Sequence, residues 1–584
     1  MSIDARRYDV EYLTNLSQDQ LREFALAHTP CTFVTAQGNL NKVSRNKSRM
    51  AKHTYIVGPD SRATEYSHKM LSDGKARSLI EAQRRYIEQK GRLIEVQGFL
   101  GLGPRAVPVQ WLYTMEGANI AGMQSILAFP PSMVLEEGQE FAPLFQVVYT
   151  PDFRPDMPDG QCILVDLHHY TTYIMGPDYF GESKKAALRM LNEYAFHRGG
   201  LVLHAGAKSV VIDGEAVTMT IMGLSGTGKT TTTFSKQGED TRPIQDDMVT
   251  LWPNGELSIT ENGCFAKTIG LTEETEPVIY RGTMSREAWV ENAYTDAEGR
   301  FDFFKELLTP AEVAQKRDVL IATGAPEANV DRYIAGGVML ADVSDERGVL
   351  HDGWEFVKWT GNGRSIIPMS AVEDAADLTS IPPVRSMGIL NRDEGRDAAI
   401  PGIVKFTTPA QAAGYFMLGE TTKTSAAGKD VGKTRSPFTQ PFFPRAFGLQ
   451  ARRFGELAGT LSDVDLWMMN TGFVGGSAAE VKLGTAHKVK IRHSSAMLEA
   501  MLKDEIVWTT DPDWGYLVVD TDHPGNAALL ERVPAEIVRP ALYFERTGRM
   551  DEYRDWVTRM KTARRAFLES FAVDPAIVDA TVND

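Results

Sequence analysis

Gly223-Leu-Ser-Gly-Thr-Gly228-Lys229-Thr230 is the stretch that decides the interpretation of this chain, because it satisfies the phosphate-binding pattern G-x-x-x-x-G-K-[ST]. The run 217–222 before it is rich in β-forming residues, so the glycines fall at a strand-to-helix turn. In such a turn backbone N–H groups surround phosphate oxygens, while Lys229 reaches the β and γ phosphates and Thr230 can bind Mg²⁺. The alternative is a glycine-rich turn that holds no ligand. The pattern favours a nucleotide-binding α/β protein.

Two carboxylates follow the phosphate-binding pattern. Asp246 and Asp247 lie in a short strand-like run soon after it. An isolated pair of aspartates is more often a solvated turn, but a site that processes nucleotides needs carboxylates for its divalent ion. The position of the pair after the pattern therefore favours a metal-binding role.

The length and composition are those of a globular protein with several parts. The chain has 584 residues, 43% hydrophobic and 24% charged, which predicts roughly three or four domains, or two large ones. Its 62 Lys and Arg against 77 Asp and Glu give a net charge of −15. Nucleic acids and anionic membranes attract basic surfaces, so neither partner is expected. Phosphate-bearing small ligands remain compatible with this charge.

The cysteines and the N-terminus indicate a cytoplasmic protein. Cys31, Cys162 and Cys264 lack the paired spacing of a zinc site or of a disulfide framework. The N-terminal residues lack the apolar stretch of a signal peptide, and no run of about 18 apolar residues occurs. We therefore expect no membrane-spanning segment.

Periodicity and turn residues divide the chain into segments. Helical spacing predicts a helix over 71–90, and residues 93–102 are typical of a strand. Short β-rich runs from residue 201 onward indicate a second domain, in which Asp213-Gly214 predicts a hairpin turn. The polar segment 296–346 is expected to hold an insertion.

The C-terminal third combines loops with one clear helix. The loop-rich stretches 380–401 and 426–444 are expected to act as lids or binding loops. The apolar face of the helix repeats at three-and-four spacing, and comprises Tyr553, Trp556, Val557, Met560, Phe567, Leu568 and Phe571. We interpret it as a packing helix rather than a partner-binding one.

A wider set of motifs resembles the ATP-dependent phosphoenolpyruvate carboxykinases. The phosphate-binding pattern and the Asp-Asp pair are followed by Gly263-Cys-Phe-Ala-Lys267-Thr-Ile269 and Glu276-Pro-Val-Ile-Tyr280. This order and spacing is similar to that family and is absent from general P-loop ATPases. The resemblance runs in patches from Arg49 to Met497.

The resemblance implies a metal site. Tyr179-Phe-Gly-Glu-Ser-Lys184-Lys185 resembles a family motif whose second lysine binds Mn²⁺ together with a histidine and an aspartate, here Lys185, His204 and Asp247. An ammonium group has no lone pair, so this role requires a neutral Lys185. Without the resemblance, His204 is more often a packed or surface histidine, and the two lysines a solvated helix start.

The resemblance also implies substrate-binding and adenine-side segments. Arg49 lies where the family binds the substrate carboxylate, and Arg364 where an arginine contacts both substrate and γ-phosphate. The run 470–473 resembles the family's Asn-Thr-Gly-Trp motif, and the run 488–496 resembles its adenine-binding segment. Departures from the family pattern, at Phe180, at 206–208 and at 399–404, surround the expected substrate pocket and lid. They put the identity of the substrate in question more than the nucleotide chemistry.

The expected fold class is α/β and phosphoenolpyruvate carboxykinase-like, with its parts arranged around a cleft. The expected domains are 1–200 on the substrate side, 201–360 carrying the P-loop and metal, and 361–584 with the lid, the adenine-side segment and the terminal helix. The catalytic residues implied by the resemblance are Arg49, Tyr179, Lys184, Lys185, Lys229, Asp246 and Arg364. The nucleotide-binding residues are Gly223, Leu224, Ser225, Gly226, Thr227, Gly228, Lys229, Thr230, Thr231, Lys267, Arg364, Lys488, Val489 and Ser494, and the metal ligands are Lys185, His204, Thr230 and Asp247.

The function implied by the resemblance is conversion of oxaloacetate and ATP to phosphoenolpyruvate, CO₂ and ADP, with ATP, Mg²⁺ and Mn²⁺ as cofactors. One alternative is a kinase on the same scaffold that phosphorylates another small molecule or a protein hydroxyl. A second alternative is a nucleotide-binding regulator without turnover. The expected partners are a nucleotide and a small carboxylate, and the oligomeric state is left open.

Overall fold

The computed structural model describes residues 7–224, 226–234, 241–346, 348–423, 432–439, 442–461 and 463–584. The chain forms two compact units, each assembled from two separate stretches of sequence. The first unit comprises Met1–Leu191 and Glu261–Glu373, and the second comprises Asn192–Thr260 and Asp374–Asp584. The predicted domains 1–200, 201–360 and 361–584 stay a prediction.

Strands and helices both occur throughout, which confirms the predicted α/β class. The strands are β1 (Glu11–Thr14), β2 (Thr32–Val34), β3 (Leu40–Lys42), β4 (Thr54–Val57), β5 (Lys69–Leu71), β6 (Arg92–Leu100), β7 (Val107–Tyr113), β8 (Phe145–Thr150), β9 (Cys162–Asp166), β10 (Thr171–Met175), β11 (Leu201–Leu203), β12 (Ala205–Ile212), β13 (Glu215–Gly223), β14 (Arg242–Gln245), β15 (Val249–Leu251), β16 (Leu257–Ile259), β17 (Gly263–Lys267), β18 (Trp289–Glu291), β19 (Arg364–Pro368), β20 (Val384–Asn391), β21 (Ile403–Lys405), β22 (Glu420–Lys423), β23 (Gly432–Arg435), β24 (Asp465–Asn470), β25 (Phe473–Val474), β26 (His487–Lys488), β27 (Trp508–Thr510) and β28 (Leu517–Val519).

The helices are α1 (Gln18–His28), α2 (Asp73–Lys90), α3 (Ala118–Leu127), α4 (Phe180–His197), α5 (Lys229–Phe234), α6 (Pro277–Met284), α7 (Pro310–Gln315), α8 (Arg317–Ala322), α9 (Glu327–Ile334), α10 (Pro409–Leu418), α11 (Gly448–Thr460), α12 (Ala478–Lys482), α13 (Ile491–Leu502), α14 (Ala527–Arg532), α15 (Ala535–Val538), α16 (Pro540–Arg546), α17 (Met550–Ser570) and α18 (Pro575–Val582). No helix within the described ranges combines the length and apolar character needed to cross a membrane.

The first unit is built on a large mixed sheet with the strand order β1-β6-β7-β8-β10-β9-β4-β5. Every residue of the inner strands β8 and β10 is buried, as expected for strands covered on both faces. Helix α2 packs its buried residues at helical spacing against this sheet: Ala76, Leu79, Gln83 and Ile87. The amide of Gln83 donates to Thr150 Oγ1 at 3.0 Å, so this polar side chain is satisfied within the core.

A second sheet of the first unit brings charged residues of distant segments into register. Its order is β17-β19-β18-β3-β2. Arg364 on β19 lies opposite both Lys267 on β17 and Glu291 on β18, and Glu291 lies opposite Lys42 on β3. The first unit therefore places cations and a carboxyl group side by side on one sheet.

The second unit is built on a sheet with the order β14-β12-β13-β20-β24-β21-β28-β27. Strands β12 and β13 form the predicted hairpin, with Asp213 and Gly214 at φ 51° and 85°. Positive φ at both central residues is typical of the tight hairpin turn that Asp-Gly favours. Strand β13 is the run predicted before the phosphate-binding pattern, and it pairs in parallel with β20.

The core of this second sheet depends on one close approach. Gly388 on β20 lies opposite Trp467 on β24, and a Cβ added at Gly388 would clash with Cζ2 and Cη2 of the Trp467 ring. The indole is fully buried and its N–H donates to Ser386 Oγ at 2.7 Å, so the ring has no room to move aside. Gly388 is therefore required by packing.

We expect Gly388→Ala to destabilise the second unit by about 1–3 kcal/mol, because an overpacked core forces backbone shifts. Gly459→Ala is the matched control, since a Cβ there meets only an ordinary contact with Pro409 at 3.9 Å. Denaturant unfolding of both variants measures the difference. Equal stabilities for the two variants would contradict this account of the packing.

Candidate active site

The phosphate-binding pattern forms the connection between β13 and α5 in the second unit. Gly226 and Gly228 both have φ of 87°, a left-handed conformation that side chains rarely adopt. The Thr227 hydroxyl donates to the Leu224 carbonyl at 2.7 Å and closes the loop on itself. Ser225 lies outside the described residues. Both glycines thus hold positions in the turn that residues with a side chain would occupy only under strain.

Lys229 lies at the start of α5 and contacts the predicted aspartate pair. Its Nζ donates to the Asp246 carbonyl at 3.0 Å, to the Asp247 carbonyl at 3.3 Å and to Asp247 Oδ1 at 3.0 Å. Thr230 and Thr231 follow Lys229 and are half-buried. The structure therefore brings the lysine and both aspartates of the sequence prediction together.

His204 joins the same cluster. Its Nε2 lies 2.9 Å from Asp247 Oδ1, and its Nδ1 lies 2.9 Å from the Phe438 carbonyl oxygen. A carbonyl can only accept, so Nδ1 carries a proton and donates it to Phe438. Burial and the Lys229 ammonium lower the pKa of His204, although Asp247 opposes them. Nε2 faces the Asp247 carboxylate, where a proton or a cation between the two atoms would offset the repulsion of their lone pairs.

This donor pair suits a divalent cation. An imidazole nitrogen and a carboxylate oxygen facing each other are ordinary metal ligands, and the carbonyl bond on the other ring nitrogen fixes the tautomer that ligation requires. Within the described parts of the chain, no group of three His, Cys, Asp or Glu side chains could hold an ion unaided. His204 and Asp247 therefore offer two ligands of the predicted metal set.

The predicted adenine-side residues lie close to the phosphate loop within the second unit. The Thr471 hydroxyl donates to the Thr227 carbonyl at 2.8 Å, and Lys488 Nζ donates to the Thr471 carbonyl at 3.0 Å. Lys488 also lies 4.3 Å from the centre of the Phe473 ring. Val489 donates its N–H to Gly472, and Ser494 lies in the first turn of α13. Hydrogen bonds thus connect this segment to the loop.

In the first unit, α4 presents three charged residues on one buried face. Glu182, Lys185 and Arg189 are three and four residues apart, so they lie one above another along the helix. All three are buried. Burial lowers the pKa of Lys185 well below its usual range; the nearby guanidinium groups of Arg49, Arg189 and Arg364 act in the same direction, while Glu182 opposes them. Lys185 is therefore disposed to be a neutral amine, as metal ligation requires.

Tyr179 lies beside Lys185. The Lys185 Nζ is 5.6 Å from the centre of the Tyr179 ring, which is buried. The Asn362 amide donates to the Tyr179 hydroxyl at 3.4 Å. Arg49 is exposed at the end of a loop whose next residue, Met50, donates its N–H to Glu182. The predicted substrate-side residues of this unit are therefore neighbours.

Lys184 points to a different environment from Lys185. It forms a buried ion pair with Glu261, with Nζ and Oε2 2.9 Å apart. Phe265 lies between two cations, 4.8 Å from Lys184 Nζ and 5.4 Å from the Arg364 guanidinium. The charge of Lys184 is thus already paired with a carboxylate. A substrate role for Lys184 stays a prediction.

The predicted site residues fall into one group in each unit. Arg49, Tyr179, Lys185, Lys267 and Arg364 belong to the first unit, and His204, Lys229, Asp246, Asp247 and Lys488 to the second. The predicted metal set takes Lys185 from one unit and His204 and Asp247 from the other. That three-residue set stays a prediction.

Two charged residues that act on Lys185, Glu182 and Arg189, are not among the site residues predicted from the sequence. Glu182 stands inside the quoted motif, and Arg189 follows it seven residues later on the same helix face. The signal that could have found them is helical spacing: charged residues that share the face of Lys185 must share its environment. Motif spacing alone does not reveal these two residues.

Comparison with known proteins gives a consistent result. A sequence model of a family described as phosphoenolpyruvate carboxykinase matches residues 10–316 and 336–525. A protein of Chelativorans sp. named phosphoenolpyruvate carboxykinase (ATP) is 27% identical over 523 residues, which cover 86% of this chain and 84% of that protein. Proteins with the same name from Bradyrhizobium diazoefficiens and Shouchella clausii are 28% identical over 458 residues and 27% identical over 510 residues. These cover 76% and 85% of this chain, and 70% and 80% of the relatives.

Proposed function

The chain belongs to the phosphoenolpyruvate carboxykinase family, an enzyme family, and from that premise we propose that it converts oxaloacetate and ATP to phosphoenolpyruvate, CO₂ and ADP. The resemblance identified from the motifs is thereby confirmed. The names of the relatives support ATP as the phosphoryl donor.

The observation that carries the proposal is the cluster behind the phosphate loop. His204 and Lys229 each contact Asp247 Oδ1, at 2.9 and 3.0 Å respectively. Such a cluster combines a cation for phosphate oxygens with an imidazole and a carboxylate for a divalent ion. A phosphate loop that only bound nucleotide would not need the histidine.

The divalent ion proposed here is Mn²⁺ or Mg²⁺. His204 and Asp247 would hold one ion together with Lys185, and Thr230 would bind a second beside the nucleotide. Such an ion supplies a Lewis acid that stabilises negative charge developing on oxygen, an effect of several kcal/mol.

Side chains of the protein would bind the substrate and neutralise the charge of the transferring group. Arg49 would bind the substrate carboxylate, with the Tyr179 hydroxyl beside it. Lys229 and Arg364 would neutralise the transferring γ-phosphoryl group, whose charge is spread over its oxygens in the transition state. The Asp246 carbonyl accepts a hydrogen bond from Lys229 Nζ and would thereby orient this lysine. A closed site would exclude water and so prevent protonation of the enolate to pyruvate.

We propose a cytoplasmic location, with a nucleotide and a small carboxylate as partners and with neither nucleic acid nor membrane. The acidic composition supports the latter part, since the net charge is −15. The two alternatives, a kinase with another acceptor and a nucleotide-binding regulator, are outcomes of the same experiment.

We expect the purified full chain to form phosphoenolpyruvate when it is given ATP, oxaloacetate, Mg²⁺ and Mn²⁺. ³¹P NMR and a coupled assay measure the formation of this product. Chelation of the metal should reduce the rate to background, and added Mn²⁺ should restore it. ATP consumption only with other acceptors of a metabolite panel would establish the kinase instead. ATP binding without any consumption would establish the regulator.

A further inference from the structure

Arg189 is a buried cation whose charge the proposed reaction has not yet used. The side chain is 3% exposed and lies on the α4 face of Lys185. Its Nη2 donates to Glu182 Oε2 at 3.2 Å. Among the residues that the structure describes, neither its Nε nor its Nη1 has a hydrogen-bond partner. Buried guanidinium donors without partners are costly, because each has lost its water.

Glu182 connects Arg189 to the loop that carries Arg49 and Met50. Its Oε1 accepts the N–H of Met50 at 2.8 Å, while its Oε2 accepts from Arg189. Met50 directly follows Arg49 in the chain. One buried carboxylate therefore connects the backbone at Arg49 with the guanidinium of Arg189.

The charges around this carboxylate do not balance. Of the described side chains whose charges act most strongly on Lys185, Glu182 is acidic, whereas Arg49, Arg189 and Arg364 are cations. His68 also lies near Arg189, and burial lowers its pKa to about 4, so near neutral pH the ring is uncharged and does not alter this balance. An excess of cations with unused donors is what a ligand with several anionic groups requires.

We propose that Arg189 is a specificity-determining residue that binds the second carboxylate of a dicarboxylic acid whose first carboxylate is bound by Arg49. This assignment rests on the proposed function, because it takes the dicarboxylate to be the substrate of the same site. Oxaloacetate is such a dicarboxylate. The unused Nε and Nη1 donors lie on different edges of the guanidinium plane, so either one can donate a single charge-assisted hydrogen bond to a carboxylate oxygen.

The test is direct binding to the full chain in the absence of nucleotide, so that no turnover is needed. Titration calorimetry would compare malonate with acetate, and oxaloacetate with pyruvate, since each pair differs by one carboxylate. We expect Arg189→Gln to weaken binding of malonate and of oxaloacetate about 10- to 100-fold, the usual effect of losing hydrogen bonds to a charged group. Binding of acetate and pyruvate should be unchanged. Arg198→Gln is the matched control, because this exposed arginine follows the same helix.

A purely structural role for Arg189 predicts a different result. If the arginine only neutralises Glu182, the double variant Arg189→Gln with Glu182→Gln should bind the dicarboxylates as the wild type does. We expect the loss to persist in the double variant, whose restored charge balance also guards against misfolding. Wild-type affinity in the double variant would overturn the proposal.

Two further outcomes are informative. Loss of inorganic phosphate binding in Arg189→Gln, with malonate binding retained, would overturn the assignment to a carboxylate. If the wild type forms no phosphoenolpyruvate but Arg189→Gln still loses malonate selectively, the proposed reaction fails while the second carboxylate site stands. The binding and activity experiments therefore fail independently.

Discussion

Lys229→Ala is expected to lower kcat of the proposed ATP-dependent reaction by about 10²–10³-fold, equivalent to roughly 3–4 kcal/mol of transition-state stabilisation. The loss has two physical sources. The γ-phosphoryl group would transfer without the cation at the start of α5, and Asp247 would lose a partner that now lies 3.0 Å from its carboxylate. Steady-state kinetics with ATP and oxaloacetate measures the first effect. Thermal unfolding measures the second.

Lys503→Ala is the appropriate control for charge removal. This lysine is 53% exposed and pairs only with Glu499 on the surface of the same unit, so its loss should leave kcat within twofold. A Lys229→Ala protein that remains folded and keeps more than a tenth of the wild-type kcat would refute the assigned role.

Arg564→Met is expected to cost about 3–5 kcal/mol of stability in the second unit, the usual effect of removing one partner of a buried ion pair. The guanidinium binds Glu420 with Nε at 3.1 Å and Nη2 at 2.6 Å, and its Nη1 donates to the Tyr415 hydroxyl at 2.9 Å. It also lies 4.4 Å from the centre of the Trp514 ring. Burial acts to raise the pKa of Glu420, but Arg564 and Arg435 hold that pKa below its usual range. Without Arg564 the buried carboxylate would be left with Arg435 alone.

Denaturant unfolding followed by tryptophan fluorescence measures this loss. Arg554→Met is the matched control on the same helix, because its side chain is 70% exposed and its pair with Asp551 is on the surface. That variant should change stability by less than about 0.5 kcal/mol. If the two variants lose equal stability, the buried pair does not hold helix α17 in place.

Local signals predicted the elements on which the candidate site depends. The Asp213-Gly214 turn and the phosphate loop each follow from a few adjacent residues, because their backbone conformations admit few residue types. The terminal helix was also predicted, and Tyr553, Trp556, Val557, Met560 and Leu568 are buried in it. Arg564 lies on that buried side too, where a pattern of apolar residues alone could not place it.

Pairings between distant residues account for what could not be predicted. Lys184 meets Glu261 across 77 positions, and Arg564 meets Glu420 across 144. No spacing rule along one helix or strand reports such contacts, since only the tertiary fold creates them. Residues 317–335 and 526–584 also lie outside the family match, so the motifs that identified the site could not reach them.

The small sheet of the first unit also has a consequence for how the protein is made. Strand β3 at Leu40–Lys42 pairs with β18 at Trp289–Glu291, so its partner leaves the ribosome about 250 residues later. At roughly 5–20 residues per second, that delay is about 10 to 50 s. During this interval one edge of β3 remains unpaired. The first segment of the second unit, Asn192–Thr260, is synthesised before β18. Nascent chains of this protein should therefore need protection by chaperones until residue 291 has been translated, and the order of biosynthesis becomes part of the cost of interleaving two units in one chain.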